Sequence, residues 1–422
     1  MIFNESIYNK DWPIKKLSQL GDFSRGVSKH RPRDDARLFI DGDIPFLQTG
    51  EVKSARLYVD SYSAKYNDFG LSQSKLWHKG TLCITIAANI AESAILSRDM
   101  CFPDSIVGFV PNDNETTSEY MYYIFEYIKS QIQSRTNGSI QDNINIDYLK
   151  DLEFRISPNQ EKIKKVLSDI DNKILLNQAI IGKLESMAKT LYDYWFVQFD
   201  FPDANGRPYK TSGGKMEWNE TLSREIPAGW EVRKVKDIEA KIVTGKTPST
   251  AQDDFYNGNI PFVTIGDIRN HVFVTNTDIR LTKAGAESQS NKYLPPNSLC
   301  VSCIASPGEI GFTTEWSQTN QQINSIVIED EDNRIILYFA LKDYFLYNAA
   351  VKTGNTFANM SKTDFSEIAL VYPTKHVLRV FAKKTQPIFR KLKKAELENR
   401  KLITFRDFLL PMLMNGQVTF RQ

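Results

Sequence analysis

The run Ile44-Pro45-Phe46, followed by Gly50-Glu51-Val52-Lys53, returns in the second half of the chain as Ile260-Pro261-Phe262, followed by Gly266-Asp267-Ile268-Arg269. Working outward from it, Leu82-Cys83-Ile84-Thr85 matches Leu299-Cys300-Val301-Ser302, and Ser105-Ile106-Val107 matches Ser325-Ile326-Val327. Gly138 and Asn143 match Gly354 and Asn359, and Trp12 and Trp230 open the two halves. The separation of matching positions stays within a few residues of 217. Solenoid units run to at most ~50 residues, so this period marks a duplicated domain. Two similar domains on one chain point to one tool used twice, on two similar targets or on two parts of one target.

A chain of 422 residues has room for two or three domains, and its 41% hydrophobic and 25% charged content is that of soluble globular protein. No apolar run approaches the ~20 residues of a membrane span. The N-terminus, Met1-Ile2-Phe3-Asn4-Glu5, lacks the basic and apolar regions of a signal peptide. Three of the four cysteines, Cys83, Cys101, Cys300 and Cys303, sit in or beside apolar runs; we read all four as buried thiols in a reducing cytoplasm. The formal charge of +2 is low for a chain that holds nucleic acid by charge alone.

Each repeat opens with short β-like runs broken by turn signals, such as Thr81 to Ala87 and Asn324 to Ile328, with helical stretches such as Ser118 to Ser130 mixed in. That is an α+β globule. Each repeat then continues as a long helix. From Ile163 the apolar positions step by four and three through Leu167, Ile170, Ile174, Asn177, Ile181, Leu184, Ala188, Leu191 and Trp195. The second repeat offers Leu378, Phe381, Thr385, Ile388, Leu392, Ala395, Asn399, Leu402, Arg406 and Leu409. A sustained 3.5-residue period is a coiled-coil seam. Pro387 interrupts the second seam, so the straight helix is expected to begin there, and Gly416 ends it. Each seam holds one Asn, at Asn177 and Asn399. Such a residue either fixes register at some cost in stability or merely tolerates partial exposure. A helix of this length needs a partner for its seam; the nearest is the other helix, paired antiparallel as a spacer, and the competing partner is another protein.

The expected fold is therefore α+β: two similar globules separated by two long helices packed as an antiparallel coiled coil, in a pseudo-twofold internal repeat. The first globule is expected over 1–158, the first long helix over 159–198, a Pro/Gly-rich linker over 199–228, the second globule over 229–374, and the second long helix with a tail over 375–422.

Catalytic patterns do not emerge. Gly245-Lys246-Thr247 resembles the end of a phosphate-binding loop, but Ala240 stands where that loop needs glycine and Pro248 stands where its helix would start. Cys300 and Cys303 have no second ligand pair at zinc spacing. His30, His78, His271 and His376 are scattered, and Leu294-Pro295-Pro296-Asn297 lacks the flanking residues of an amino-methyltransferase motif. The chain reads as a binder with no metal and no catalytic residue.

The loops carry groups that read nucleic acid: Lys29, His30, Arg31 and Arg33 early in the first globule, and Lys246, Thr247 and Ser249 in the second, with Arg269 closing the repeated motif. Toward the ends of the globules come Arg135, Asn137, Ser139, Gln141 and Asn143, then Lys352, Thr353, Asn355 and Asn359. Arg and Lys suit guanine edges and phosphates, Asn and Gln suit adenine edges, and hydroxyls add positioning contacts. Polar loops are also ordinary solvated surface; the same polar mix at equivalent places in both halves favours DNA binding.

The whole pattern resembles the specificity subunit of type I restriction–modification enzymes. The repeated Ile-Pro-Phe and Gly-Asp/Glu runs fit, as do Gly245 to Ser249 and Pro158-Asn159-Gln160-Glu161 leading into a coiled coil. So do Trp195 to Asp200 through Ser212 to Lys215 and Ile226 to Trp230, and the ending Arg406 to Pro411. The first globule departs mildly, opening with Gly26-Val27-Ser28 in place of Gly-x-Thr-Pro. The resemblance implies that each globule is a target recognition domain for half of a bipartite asymmetric site in double-stranded DNA. It implies that the helices set the gap and dock two methyltransferase subunits, which bind S-adenosylmethionine, and that motor-nuclease restriction subunits complete the complex. By that resemblance this chain binds no cofactor, does no chemistry and touches no membrane. A degenerate methyltransferase and a protein-binding scaffold are the competing readings: methyl transfer by the purified chain supports the first, and DNA affinity that falls steeply with salt counts against the second.

Overall fold

Leu82–Thr85 is buried along its whole length because both of its faces are covered. The side chains alternate: Leu82 and Ile84 enter the core that includes Tyr120, Ile124 and Phe125, whereas Cys83 enters the opposite core with Leu47, Val52 and Trp77. Leu299–Ser302 does the same, with Leu299 and Val301 on one side and Cys300 on the other. A strand covered on both faces reads as a continuous apolar run, not as an alternating one. The four cysteines are indeed buried free thiols, and burial pushes the Cys300 thiol up to about 12.

The computed structural model describes residues 2–87, 91–136, 146–351 and 359–420. The chain forms two compact units, Met1–Leu175 with Lys401–Gln422, and Leu176–Arg400. In the first, a five-stranded sheet runs in the order Gly21–Arg25, Ile106–Pro111, Leu82–Thr85, Ser93–Leu96, Tyr58–Val59. In the second, the order is Ile242–Thr244, Ile323–Ile326, Leu299–Ser302, Ile310–Thr313, Phe273–Val274. Each sheet is antiparallel except for its last pair, which is parallel in both units, with Tyr58 opposite Ile95 and Phe273 opposite Phe312. A smaller sheet is built around Ile44–Phe46 in the first unit and Tyr256–Val263 in the second. A 19-residue helix, Ser118–Thr136 or Asn333–Val351, follows each five-stranded sheet in the chain. The duplication is thus a repeated topology: two α/β lobes, each joined to long helices.

The first long helix spans Gln160–Tyr192 and continues as a π turn over Asp193–Val197; the second spans Lys375–Met414. Within the first unit, Ile163 and Leu167 share a core with Leu413 and Met414, and Arg406 donates to the buried Asp171 at 2.8 Å. Within the second, Leu184 and Ala188 pack in one core with Phe381 and Leu392. In both units the start of one helix meets the end of the other, so the pairing is antiparallel. The odd Arg406 of the seam is explained by Asp171, its ion-pair partner. The straight helix expected to begin at Pro387 begins instead at Lys375. Pro387 and Lys383 both lie on the exposed face, so the carbonyl four residues back, which proline cannot pair, is left on the solvent side. Gly416, at φ +82°, closes the helix in the left-handed region.

The polar stretch expected as a linker is packed. Phe201 stacks on Tyr209 at 4.6 Å and on Trp230 at 4.9 Å, and Asp200 accepts hydrogen bonds from the Thr211 amide and hydroxyl. Its Pro/Gly content marks tight turns, while its aromatic residues join the core that also holds Tyr192 and Phe381.

Candidate nucleic-acid interface

In each lobe the described polar loops collect at one end of the five-stranded sheet. In the first, Gly26 donates to the Ile106 carbonyl at 2.8 Å, Val27 to that of Phe102 at 3.0 Å, and Ile86 to that of Ser105 at 3.0 Å. In the second, Gly245 donates to Ile323 at 3.1 Å, Lys246 to Thr319 at 2.9 Å, and Cys303 to Gln322 at 2.8 Å. Two glycines make this arrangement possible. A Cβ on Gly26 would stand 2.3 Å from the Phe102 carbonyl oxygen, and one on Gly245 only 2.1 Å from that of Asn320. The glycine of Gly245-Lys246-Thr247 therefore serves a close backbone crossing, and its amides are spent inside the lobe.

The loop after Gly26 is organised by its own charges. His30 Nε2 lies 2.7 Å from Asp35, and Arg37 grips the same carboxylate at 2.6 Å. Arg37 first, then His30, holds the Asp35 carboxyl well below the usual carboxylate range. Arg31 donates to the carbonyls of Ser28 and His30, and Arg33 pairs with Asp104 at 2.9 Å. Lys29 is exposed. Exposed pairs such as Arg33–Asp104 are worth ~0–1 kcal/mol, so a phosphate can take the place of the carboxylate.

In the second lobe the corresponding loop is tied down. Tyr256 donates to the Pro248 carbonyl at 2.9 Å, Gln289 to that of Lys246 at 2.7 Å, and Thr247 to the Gln321 side chain at 2.8 Å. The side chains of Lys246 and Ser249 are exposed. Arg269 pairs with Glu309 at 3.1 Å, and Asn359, also exposed, bridges to Ile304 in the same turn region. The structure thus gathers Lys246, Thr247, Ser249, Arg269 and Asn359 at one end of the lobe. Asn137, Ser139, Gln141, Asn143, Lys352, Thr353 and Asn355 lie outside the described residues, as does the side chain of Arg135.

The acidic residue of the repeated motif has a different task. Glu51 accepts from the amides of Gln48 and Ser63 and from the Ser63 hydroxyl, each at 2.6 Å. Asp267 accepts from the Thr264 amide and hydroxyl at 2.7 Å and from the Asp278 amide at 3.0 Å. In each lobe this carboxylate caps a short helix and pins the next loop to it. The motif is legible in the sequence because that brace occurs twice. The side chains it positions vary between the lobes and give no such signal.

Asn177 and Asn399 are 2% and 8% exposed, and Asn177 Nδ2 donates to Asn399 Oδ1 at 2.9 Å. Partial exposure does not describe them; they face each other across the seam.

Two lobes of one topology, offering unlike polar loops at equivalent places and joined to paired helices, define a duplicated recognition protein. Residues 9–186 and 227–402 match the family described as the type I restriction modification DNA specificity domain. The chain is 30% identical to the type I restriction enzyme HindI specificity subunit of Haemophilus influenzae, over 97% of this chain and 100% of that one. It is 24% identical to the MjaIX specificity subunit of Methanocaldococcus jannaschii, over 97% and 94% of the two chains. The crystal structure of the type I restriction–modification system S subunit from M. genitalium has the same fold, with a TM-score of 0.58 at 15% identity over 100% of both chains. The chain belongs to the type I restriction–modification DNA specificity subunits, and its role is recognition, not catalysis. Among the described residues there is no group of three or more His, Cys, Asp or Glu that could hold a metal ion, and no helix long and apolar enough to cross a membrane.

Proposed function

We propose that each lobe reads one half of a bipartite, asymmetric site in double-stranded DNA, and that the two long helices set the unspecified gap between the halves. The observation that carries this reading is the pair of matched loop ends: one framework, held by Gly26 or Gly245 and by Glu51 or Asp267, with different side chains mounted on it. Lys29, Arg31, Arg33, Lys246 and Arg269 supply the cations for guanine edges and phosphates, and Asn137, Gln141, Asn143, Asn355 and Asn359 supply adenine-type partners. Each good bidentate contact is worth ~1–3 kcal/mol against a wrong base.

The chain is taken to address DNA for other subunits. Two methyltransferase subunits, carrying S-adenosylmethionine, dock on the helices, and restriction subunits complete the assembly. Support for docking comes from Leu176, Ile180 and Met187, which are 55%, 39% and 60% exposed at helical spacing on the first long helix. An exposed apolar stripe of that kind marks a protein contact. The test is a genome-wide map of methylated adenine in cells expressing this chain with its neighbouring methyltransferase, against cells lacking the chain. A split motif of fixed gap that requires the chain is the expected result; no chain-dependent methylation beside an active methyltransferase contradicts the reading.

A further inference from the structure

The first lobe carries a cleft of about 800 Å³ that opens directly beside the loop bearing Ser28 and Arg33. Its other walls include Phe39, Gln48, Ser63 and Lys65. The cleft mixes aromatic rings, a carboxamide, hydroxyls and two cations with the carboxylates of Asp34 and Asp41; cations meet phosphates and guanine edges, and carboxylates can accept from the cytosine amino group. Two of its polar groups are held rigidly. Glu51 fixes the backbone of Gln48 and of Ser63, and the Ser63 hydroxyl as well. Reading groups on a braced backbone lose little freedom when they bind.

Comparison of the lobes strengthens the case. Glu51 corresponds to Asp267, so Gln48 and Ser63 correspond to Thr264 and Asp278, the residues that Asp267 braces. Lys65 corresponds to Arg280, since both lie opposite the Ile-Pro-Phe strand, Lys65 across from Pro45 and Arg280 across from Pro261. The brace is kept while every side chain it presents differs. The loop is fastened to its body in both lobes, by Tyr256 through Pro248 in the second and by Ser74 through Val27 in the first. The cation differs in its partners. Arg280 donates to the Asn259 carbonyl at 2.6 Å and lies 3.6 Å from Glu315, whereas among the described residues Lys65 lies over the Tyr62 ring, at 5.9 Å.

We infer that this cleft receives DNA of the first lobe's half-site, with Gln48 and Ser63 as specificity-determining residues at base edges and Lys65 as a phosphate contact. The inference rests on the half-site reading above. The experiment is the methylation map repeated with Q48A, S63A and K65A in the full chain, co-expressed with the methyltransferase. Salt-dependent DNA binding of each purified complex accompanies it. Q48A or S63A should relax one position of one half-site by roughly 10- to 100-fold in preference, leaving the other half intact. K246A, in the second lobe, should affect the opposite half. K65A should keep the motif and lower the slope of log affinity against log salt by about one unit. The unaffected half-site in each variant shows that the chain has folded and assembled. Wild-type motif and rate in all three variants overturn the inference while leaving the half-site reading in place. A wild-type map without a split motif overturns both.

Discussion

At the residue scale, the fold depends on a few positions whose neighbours leave no latitude. Gly245→Ala places a Cβ at 2.1 Å from backbone oxygen and should cost about 1–3 kcal/mol as overpacking, read as a lower midpoint in denaturant unfolding. Gly182→Ala is the opposite case: nothing lies within 4 Å of its Cβ position, so an exposed helix interior should gain up to about 1 kcal/mol. Asn177→Ala leaves Asn399 buried without that partner and should lose about 1–3 kcal/mol. Replacing both with Leu should recover stability while weakening the choice of register; crosslinking of cysteine pairs along the two helices reads that register. For the interface, Lys29→Ala, Arg31→Ala and Lys352→Ala should each weaken DNA binding. A lost phosphate contact lowers the salt slope by about one, and a lost base contact relaxes one position of the motif. Unchanged methylation in all three contradicts the assignment of those residues to DNA.

At the element scale, the long helices show what periodicity can and cannot reveal. The seam positions from Ile163 to Ala188 emerge from the 3.5-residue step because one partner buries one stripe. The step is silent about a second buried face, yet Phe389 and Glu396 are also buried on the second helix. Glu396 accepts from the amides of Val272 and Phe273 at 3.1 and 2.7 Å, tying the helix to the end of a strand. No spacing rule finds a contact that joins residues 124 apart in sequence. Proline misleads for a related reason: propensity places a helix start at Pro387, and packing on both sides of it carries the helix through. Burial pushes the Glu396 carboxyl up to about 8, with Glu185 adding repulsion and His271 Nδ1 at 3.9 Å. A carboxyl whose folded value is raised is favoured in its neutral form. Its contribution is complete below the unfolded value near 4.5 and is lost as pH rises toward 8. The unfolding free energy of wild type relative to E396Q should therefore fall between pH 5 and 8. A flat difference across that range contradicts a neutral Glu396. The cleft of the first lobe was invisible in the sequence for the same physical reason: Gln48, Ser63 and Lys65 are brought together by Glu51 and by strand pairing, and as isolated polar residues they look like any surface.

At the scale of the whole molecule, duplication accounts for most of what is visible. Positions that repeat are those that hold the lobe together: the glycines at backbone crossings, the bracing carboxylates and the strands buried on both faces. Positions that differ are exposed at the loop ends, as expected if the halves read different sequences. The proposed spacer follows from the same logic, since a pair of helices sharing one seam can change length in whole heptads without losing its packing. Seven residues add ~10 Å of helix, close to three base-pair rises of ~3.4 Å. The most direct measurement is therefore a methylation map for a chain with one heptad inserted in each long helix, placed at facing positions next to the Asn177–Asn399 pair. The account predicts the same two half-sites separated by a longer gap; the same half-sites at the original gap would contradict it.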